Sequence, residues 1–299
     1  MEGSQADHRP VMTRQVLSYL LPPQGRDYID ATVGLGGHAE ATMRASQPHS
    51  RLLGLDADPS AIARATSRLR GFGDRVTLEI ANFSSMSDAA RAAGFSNVSG
   101  VLMDLGFSSA QIDDPMRGFS FRAEGPLDMR YDQQSGLPAR DVIARLSERQ
   151  LANVIYEFGG ERRSRRIARH IVSRRGKAPF ETTTDLAQTV ARALRPSRGR
   201  IHPATRTFQA LRIYVNNELE NLRLGLQAAL ETLAAGGRLV VISFHSLEDR
   251  IVKNFVRAAQ ERGALRILTP KPLRPDENEL RSNPRSRSAR LRAAEVLVG

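Results

Sequence analysis

The chain has 299 residues, of which 40% are hydrophobic, and it contains no cysteine and carries a formal net charge of +12. This length and apolar content allow a substantial core, and the missing cysteine excludes disulfides, thiolate zinc sites and cysteine nucleophiles. No apolar run approaches the roughly 20 residues that span a membrane, and the N-terminal residues MEGSQADHRP lack a signal-peptide pattern. We therefore expect a cytoplasmic enzyme without a metal site, and the basic charge favours a polyanionic partner.

Strand-like and helix-like segments alternate from Asp27 onward, which is typical of a parallel α/β sheet. A helix is predicted to open near Gly37. Asp58 followed by Pro59 predicts the N-cap and the first residue of a second helix. The predicted strands of this half cover residues 27–33, 51–58, 76–82 and 98–106.

After Gly106 the alternation stops, and a loop with several prolines and glycines covers 111–135. Helical patterns follow: Ser147 and Gln150 form a capping box, and residues 183–194 show a second apolar stripe. This part predicts an inserted all-helical domain. The predicted boundaries are 112–203 for the insertion and 1–111 with 204–299 for the sheet domain.

The α/β pattern then resumes. A long amphipathic segment covers 208–233, with apolar residues every three or four positions. The run 238–244 is strongly strand-like, and Ser246 begins another predicted helix. The last two predicted strands cover 265–271 and 291–298.

The stretch YIDATVGLGGHA, residues 28–39, is a candidate ligand loop. Gly34, Gly36 and Ala39 have the G-x-G-x-x-G/A spacing that cradles a dinucleotide pyrophosphate. Asp56 ends the second strand, where an acidic residue binds ribose hydroxyls. Both features suit NAD and S-adenosylmethionine alike.

Three features favour S-adenosylmethionine. Asp30 precedes the glycines, where a carboxylate would repel a pyrophosphate but could accept a hydrogen bond from the ammonium group of a methionine moiety. Only one mononucleotide-type half is present, whereas NAD folds usually have two. Asp104 ends the fourth strand, at the edge where parallel sheets bind ligands.

Longer stretches carry a resemblance to a known family. They are YIDATVGLGGH, LLGLDADP, VLMDLGFSSAQID, RGFSF, GPLDMR, HPATRTFQALRIYVN, SFHSLEDRIVK and NPRSRSARLR. On these stretches the chain resembles the RsmH (MraW) family of bacterial 16S ribosomal RNA cytosine-N4 methyltransferases. The resemblance implies a class I, Rossmann-like S-adenosylmethionine-dependent methyltransferase sheet with an inserted helical domain. It also implies methylation of a cytidine N4 in the decoding region of 16S rRNA, cytosine 1402 in the usual numbering.

The resemblance also implies which residues hold the cofactor. The loop residues Gly36, Gly37 and His38 would contact its methionine part, Asp56 the ribose, and Phe83 the adenine. The expected cofactor-binding residues are Asp30, Gly34, Gly36, Gly37, His38, Asp56, Phe83, Asp104 and Gln111.

Cytosine N4 is a poor nucleophile because its lone pair is conjugated with the ring, so a group that accepts the N4–H bond would favour attack. DNA amino-methyltransferases usually supply it from an N/D-P-P-Y loop, but here Asp104-Leu-Gly-Phe-Ser-Ser follows the fourth strand. Asp104 is our candidate acceptor, with Ser108 and Ser109 as weaker ones. Methylation at cytosine C5 is excluded because it requires a cysteine adduct.

Aromatic residues in the neighbouring loops are candidates for stacking on an unstacked target base. Phe107 is the expected substrate contact. Phe119 and Phe121 could equally pack the insertion together.

Basic residues concentrate in the insertion. Between Glu161 and Arg212 there are fourteen basic and three acidic residues, a net charge of +11, which indicates contact with phosphates. Aromatic content is only 5%, so a folded RNA held by its backbone fits better than a single strand. The expected RNA contacts are Arg162, Arg166 and Arg169 on one helical face, with His202 and Arg206 as further candidates. Arginines between 281 and 292 predict a second basic patch.

The expected partner is therefore 16S rRNA in the small ribosomal subunit. The oligomeric state stays open, with a homodimer among the options. Three alternative functions are an NAD-dependent oxidoreductase, a DNA cytosine-N4 methyltransferase and a non-catalytic ribosome-assembly factor.

Overall fold

The computed structural model describes residues 9–23, 25–194 and 202–297, except for the side chain of Ser109. Two compact units form: one comprises the chain up to Ser108 together with the chain from Leu219 onward, and the other comprises Ser109–Glu218. None of the described helices is long and apolar enough to cross a membrane.

The first unit is built on a sheet of seven strands in the order β3-β2-β1-β4-β5-β7-β6 among the described residues. Neighbours from β3 to β5 pair in parallel, and β7 is antiparallel to both β5 and β6. The strands are β1 Asp27–Asp30, β2 Arg51–Asp56, β3 Val76–Ile80, β4 Val98–Asp104, β5 Leu233–Ser243, β6 Leu265–Ile267 and β7 Arg290–Val296. The predicted Rossmann-like sheet is confirmed.

Alternate strand residues face opposite sides of this sheet, as the two-residue period of a strand requires. Ile29 and Leu53 lie in one buried cluster, and Tyr28 and Leu52 lie in another. Both faces are therefore covered. The helices of this unit are α1 Thr13–Leu20, α2 Gly37–Ala45, α3 Pro59–Leu69, α4 Met86–Ala92, α11 Glu218–Thr232, α12 Ser246–Glu261 and α13 Glu277–Ser282.

The second unit is helical and has its own buried core. The predicted capping box is confirmed, because the Gln150 amide donates to Ser147 Oγ and the Ser147 amide donates to Gln150 Oε1. The helices are α5 Ser109–Asp113, α6 Ala139–Arg145, α7 Glu148–Gly159, α8 Ser164–Arg175, α9 Thr183–Leu194 and α10 Thr205–Val215.

The expected amphipathic segment 208–233 is two helices rather than one. Asn217 adopts a left-handed conformation with φ of 50° and separates α10 from α11. Because α10 packs against α6 and α7, the second unit reaches Glu218, beyond the expected boundary at residue 203.

Strand ends differ from the predicted ones by a few residues, which is usual for element boundaries. β1 ends at Asp30, although the Ala31 and Val33 amides still donate to neighbouring strands. β5 begins at Leu233 because Gly236, with φ of 76°, lies in an irregularity of the strand rather than before it. Asp58 caps α3 as predicted, accepting from the Ser60 amide.

Candidate functional site

The glycine loop joins β1 to α2. Gly34 and Gly36 have φ angles of 52° and 77°, a region that residues with a Cβ rarely adopt. The Gly36 amide donates to the Val33 carbonyl at 2.8 Å, and Gly36 is the N-cap of α2. The loop therefore presents bare backbone beside the positive end of a helix, which suits a ligand lying close to the main chain.

Asp56 is tied to this loop. Its two carboxylate oxygens accept the Gly34 amide and the Asp58 amide, each at 2.9 Å. These bonds fix the carboxylate at the end of β2, beside the glycines. Each oxygen has a second lone pair, so the carboxylate can accept further hydrogen bonds from hydroxyl groups.

Three ionisable side chains converge at the ends of β1, α2 and β4. Asp30 is 2% exposed and His38 is 6% exposed, whereas the Asp104 side chain is 23% exposed. His38 Nε2 lies 3.5 Å from Asp104 Oδ2, close enough for their charges to interact but without a hydrogen bond. We call Asp30, His38 and Asp104 the acid–histidine cluster.

Four buried atoms of this cluster have no hydrogen-bond partner within the described part of the chain: Asp30 Oδ2, both ring nitrogens of His38, and Asp104 Oδ1. Buried polar atoms are normally paired, because leaving them unpaired costs about 1–3 kcal/mol each. A ligand carrying N–H donors and a positive charge would satisfy the two carboxylates.

Burial raises the pKa of Asp30 to about 7, although the charge of His38 and a hydrogen bond from the Thr32 amide favour its ionised form. Burial alone would lower the pKa of His38, but the nearby Asp104 and Asp30 carboxylates outweigh it and the pKa is raised. The Asp30 carboxyl therefore gains or loses its proton near neutral pH. Such shifts in a cluster of side chains are frequent at functional sites.

Asp104 is positioned by its backbone, whose amide donates to Thr32 Oγ1 at 2.7 Å. Thr32 is a site residue that the sequence pattern did not reveal, because nothing in its spacing marks it. Ser108 also lies beside the loop: a Cβ added to Gly34 would lie 4.0 Å from its Cβ. Phe107 is 38% exposed, and the side chain of Ser109 lies outside the described part.

Phe83 follows β3 in a short 3-10 turn and is partly buried at the edge of the core. Its ring lies against α11 at Gly225, where an added Cβ would come within 2.5 Å of Phe83 Cδ2. The absent side chain at Gly225 thus makes room for the Phe83 ring. Neither the spacing nor the periodicity of the sequence pointed to Gly225.

The remaining expected cofactor residue, Gln111, lies in the helical unit. It is buried on α5. The structure thus brings Asp30, His38, Asp56 and Asp104 together at the glycine loop, Phe83 lies against α11, and Gln111 belongs to the other compact unit.

Aromatic residues of the helical unit pack against one another. Phe119 is buried and stacks on Tyr131, with 5.5 Å between ring centroids. Phe121 lies against the rings of His202 and Phe208 at 4.6 and 4.8 Å. His202 Nδ1 also accepts the Ala204 amide at 3.2 Å. Phe119 and Phe121 therefore pack the helical unit together, which is one of the two roles expected for them.

The basic residues of the helical unit fall into two classes. Several serve the unit itself: Arg163, Arg174 and Arg175 donate to main-chain carbonyls, and Arg212 pairs with Glu218. Four other arginines on or next to α8 are exposed, and we call them the arginine face: Arg162, Arg165, Arg166 and Arg169. Arg195, Arg198 and Arg200 lie outside the described residues.

One expectation about basic residues needs correction, and two other expected RNA contacts have ion-pair partners. Arg162 precedes α8, which begins at Ser164, so the helical face is formed by Arg165, Arg166 and Arg169. Arg169 Nε lies 3.7 Å from Glu148, and Arg206 lies 3.5 Å from Glu161. The Arg169–Glu148 pair is exposed on both sides and therefore weak, whereas the Glu161 side chain is only 12% exposed in its pair with Arg206.

Part of the expected C-terminal basic patch forms internal ion pairs. Arg292 is buried and forms two hydrogen bonds to the Asp249 carboxylate, which also accepts from Arg290. These two arginines stabilise the contact between β7 and α12. The patch is correspondingly smaller than the sequence suggested.

Comparisons with known proteins identify the family. The model of the MraW methylase family matches residues 5–297. The chain is 49% identical to a protein of Thermomicrobium roseum named Ribosomal RNA small subunit methyltransferase H, over 97% of this chain and 94% of that protein. It is 50% identical to a protein of the same name from Syntrophobacter fumaroxidans, over 98% and 97%. The chain therefore belongs to the MraW methylase family, as its sequence motifs predicted, and its cofactor is S-adenosylmethionine.

Proposed function

We propose that this protein transfers the methyl group of S-adenosylmethionine to the exocyclic N4 of a cytidine in small-subunit ribosomal RNA. The observation that carries this proposal is the acid–histidine cluster at the carboxyl ends of β1 and β4, where two carboxylate oxygens beside a glycine loop have no partner among the described residues. The two relatives described above carry the name of a ribosomal RNA small subunit methyltransferase. That name supports RNA of the small subunit, 16S rRNA, as the substrate class.

The residues fit the cofactor. The buried Asp30 Oδ2 lacks a partner within the described ranges, and an ammonium group would supply one. Gly34 and Gly36 leave the backbone bare, and Asp56 is held where ribose hydroxyls can donate to it. Gly37 and His38, the first residues of α2, are the proposed contacts for the methionine part of the cofactor, and the Phe83 ring is the proposed contact for its adenine. When bound, the cofactor supplies an electrophilic methyl group.

Asp104 is the proposed acceptor for the N4–H group. Its side chain is the most exposed of the cluster, and its Oδ1 atom has no partner among the described residues. Accepting a hydrogen bond from N4 would localise the nitrogen lone pair and favour attack in line with the methyl group. His38 lies 3.5 Å from the other oxygen and orients the carboxylate by its charge. Ser108 is a weaker candidate.

The absence of cysteine supports the exocyclic amine over carbon C5 as the methylated position. Methylation at carbon C5 requires a cysteine nucleophile, and the chain contains no cysteine. Transfer to the exocyclic amine needs only an acceptor and correct alignment, which the cluster can provide. The resemblance to cytosine-N4 methyltransferases supports the same product.

The arginine face is proposed to bind the RNA backbone. Arg162, Arg165 and Arg166 are exposed, and no ion pair is found for them among the described residues. Unpaired arginines in a row suit phosphates, which they bind in bidentate fashion. We further propose that the protein acts in the cytoplasm on the small ribosomal subunit, with the helical unit, Ser109–Glu218, as the RNA-recognition part.

The proposal is tested by labelling. The purified protein is incubated with methyl-labelled S-adenosylmethionine and small ribosomal subunits from cells that lack it, and the RNA is digested to nucleosides. We expect labelled N4-methylcytidine, lost in Asp104→Ala and retained in Asp88→Ala, a control at an exposed position on α4. Label in another nucleoside, or only in DNA, would refute the proposed substrate. No label on any substrate would favour a non-catalytic assembly factor.

A further inference from the structure

The N-terminal segment lies across the start of α2. A Cβ added to Gly37 would lie 3.2–3.3 Å from three ring carbons of Pro10. Two residues later, Met12 adopts a left-handed conformation with φ of 54°, and it is fully buried. A methionine rarely adopts this conformation without compensating contacts. We call residues Arg9–Met12 the N-terminal strap.

The strap is held by residues from the other end of the chain. The Met12 amide donates to Glu279 Oε1 at 2.6 Å, and Asn283 Nδ2 donates to the Arg9 carbonyl at 3.2 Å. Glu279 lies on α13, and its own amide donates to the Asp276 side chain. A charge-assisted hydrogen bond of this length is among the stronger ones in proteins. This hydrogen bond to a charged acceptor offsets the conformational strain of the left-handed Met12 backbone.

Glu279 also acts on the acid–histidine cluster. Burial lowers the pKa of His38, and three carboxylates raise it: Asp104, Asp30 and Glu279. Asp104 and Asp30 come from β4 and β1, and Glu279 approaches from α13. One side chain therefore both fastens the strap and contributes charge at the imidazole.

We propose that Glu279 is a positioning residue of the cofactor site. It fixes the N-terminal strap against Gly37, and this contact holds the first turn of α2, with His38, in the geometry that binds the methionine part of the cofactor. The inference rests on the proposed roles of Gly37 and His38. Glu279 acts through Met12, Pro10 and the α2 backbone, and its charge adds to those of Asp30 and Asp104 at His38.

The first test compares Glu279→Gln with Glu277→Gln. Glu277 lies on the same helix, is 87% exposed and pairs only weakly with Arg281. Calorimetric titration with S-adenosylhomocysteine measures binding. We expect Glu279→Gln to weaken binding about tenfold, because the charged acceptor of the Met12 amide is lost. The Glu277 variant should bind as the unmodified protein does. Equal affinity of all three would overturn the inference, whereas no binding to the unmodified protein would overturn the proposed cofactor site.

A second readout separates positioning from simple destabilisation. NMR titration of the His38 ring in the ligand-free protein should give a lower pKa in Glu279→Gln, because a nearby negative charge is removed. Asn283→Ala releases the strap without changing any charge, so it should weaken S-adenosylhomocysteine binding severalfold and leave the His38 pKa unchanged. If these variants have a lower melting temperature but an unchanged S-adenosylhomocysteine affinity and an unchanged His38 pKa, Glu279 and Asn283 have a structural role only.

Discussion

Replacing Asp30 by asparagine should make the protein more stable at alkaline pH and worse at binding its cofactor. Asp30 is 2% exposed, and its Oδ2 atom finds no hydrogen-bond donor within the described residues. An ionised carboxylate in such a place destabilises the fold, because burial penalises its charge. Asparagine has almost the same shape and carries no charge.

The magnitude follows from the pKa. Burial raises the Asp30 pKa from 3.8 to about 7, a difference that corresponds to about 4 kcal/mol. The folded state binds this proton more tightly, so the cost is absent below about pH 4, grows through the neutral range and is complete above about pH 7. The His38 pKa is also raised, so the stability from its protonated form is present below 6.5 and lost as the pH rises through the folded-state value. Both groups make the protein less stable at alkaline pH.

The assay is differential scanning calorimetry of the ligand-free protein at about pH 5 and about pH 8. Asp30→Asn should melt higher than the unmodified protein at the alkaline pH and close to it at the acidic pH. Calorimetric titration should show S-adenosylhomocysteine binding about 10- to 100-fold weaker, since a charge-assisted hydrogen bond to the ammonium group is lost. Asp88→Asn, at an exposed carboxylate, is the control and should change neither quantity. A variant that melts lower at alkaline pH, or binds normally, would refute this reasoning.

Three further predictions concern other parts of the molecule. The double variant Arg165→Glu, Arg166→Glu should weaken RNA binding without changing S-adenosylhomocysteine affinity. The slope of log affinity against log salt concentration should become shallower by about 1 for each phosphate that the variant no longer binds. Filter binding at several salt concentrations measures this slope. Asp249→Asn leaves buried Arg292 without its charged partner and should destabilise the fold by about 3–5 kcal/mol, measured by calorimetry at neutral pH. Because the Asp249 pKa is lowered by its arginines in spite of burial, this stabilisation is present above 3.8 and is lost in the unmodified protein as the pH falls through the folded-state value. Gly225→Ala gains about 1 kcal/mol of helix propensity, but its Cβ would displace the Phe83 ring. Cofactor affinity should therefore fall severalfold, while the melting temperature changes little. Unchanged affinity would count against Phe83 as the adenine contact.

Much of this protein could be predicted from local signals in the sequence. The Asp58 cap, the Ser147–Gln150 capping box and the glycine loop each depend on residues a few positions apart, and each forms as expected. The alternation of strand and helix patterns predicted the sheet for the same reason. The position of Asp104 at the end of its strand followed from the parallel order.

Which charged groups are exposed depends on contacts that form only in the folded chain. An arginine has the same local signal whether it lies at the surface, as Arg165 does, or pairs with a carboxylate distant in sequence, as Arg292 does with Asp249. Likewise, nothing near Met12 in the sequence indicates that its amide donates to Glu279, 267 residues away. Short-range patterns in the sequence predict most helices and strands, the glycine loop and the family, but not the break between α10 and α11 at Asn217. Burial, pKa and the joining of the two chain ends depend on contacts between distant residues, and those contacts exist only once the sheet has brought the segments together.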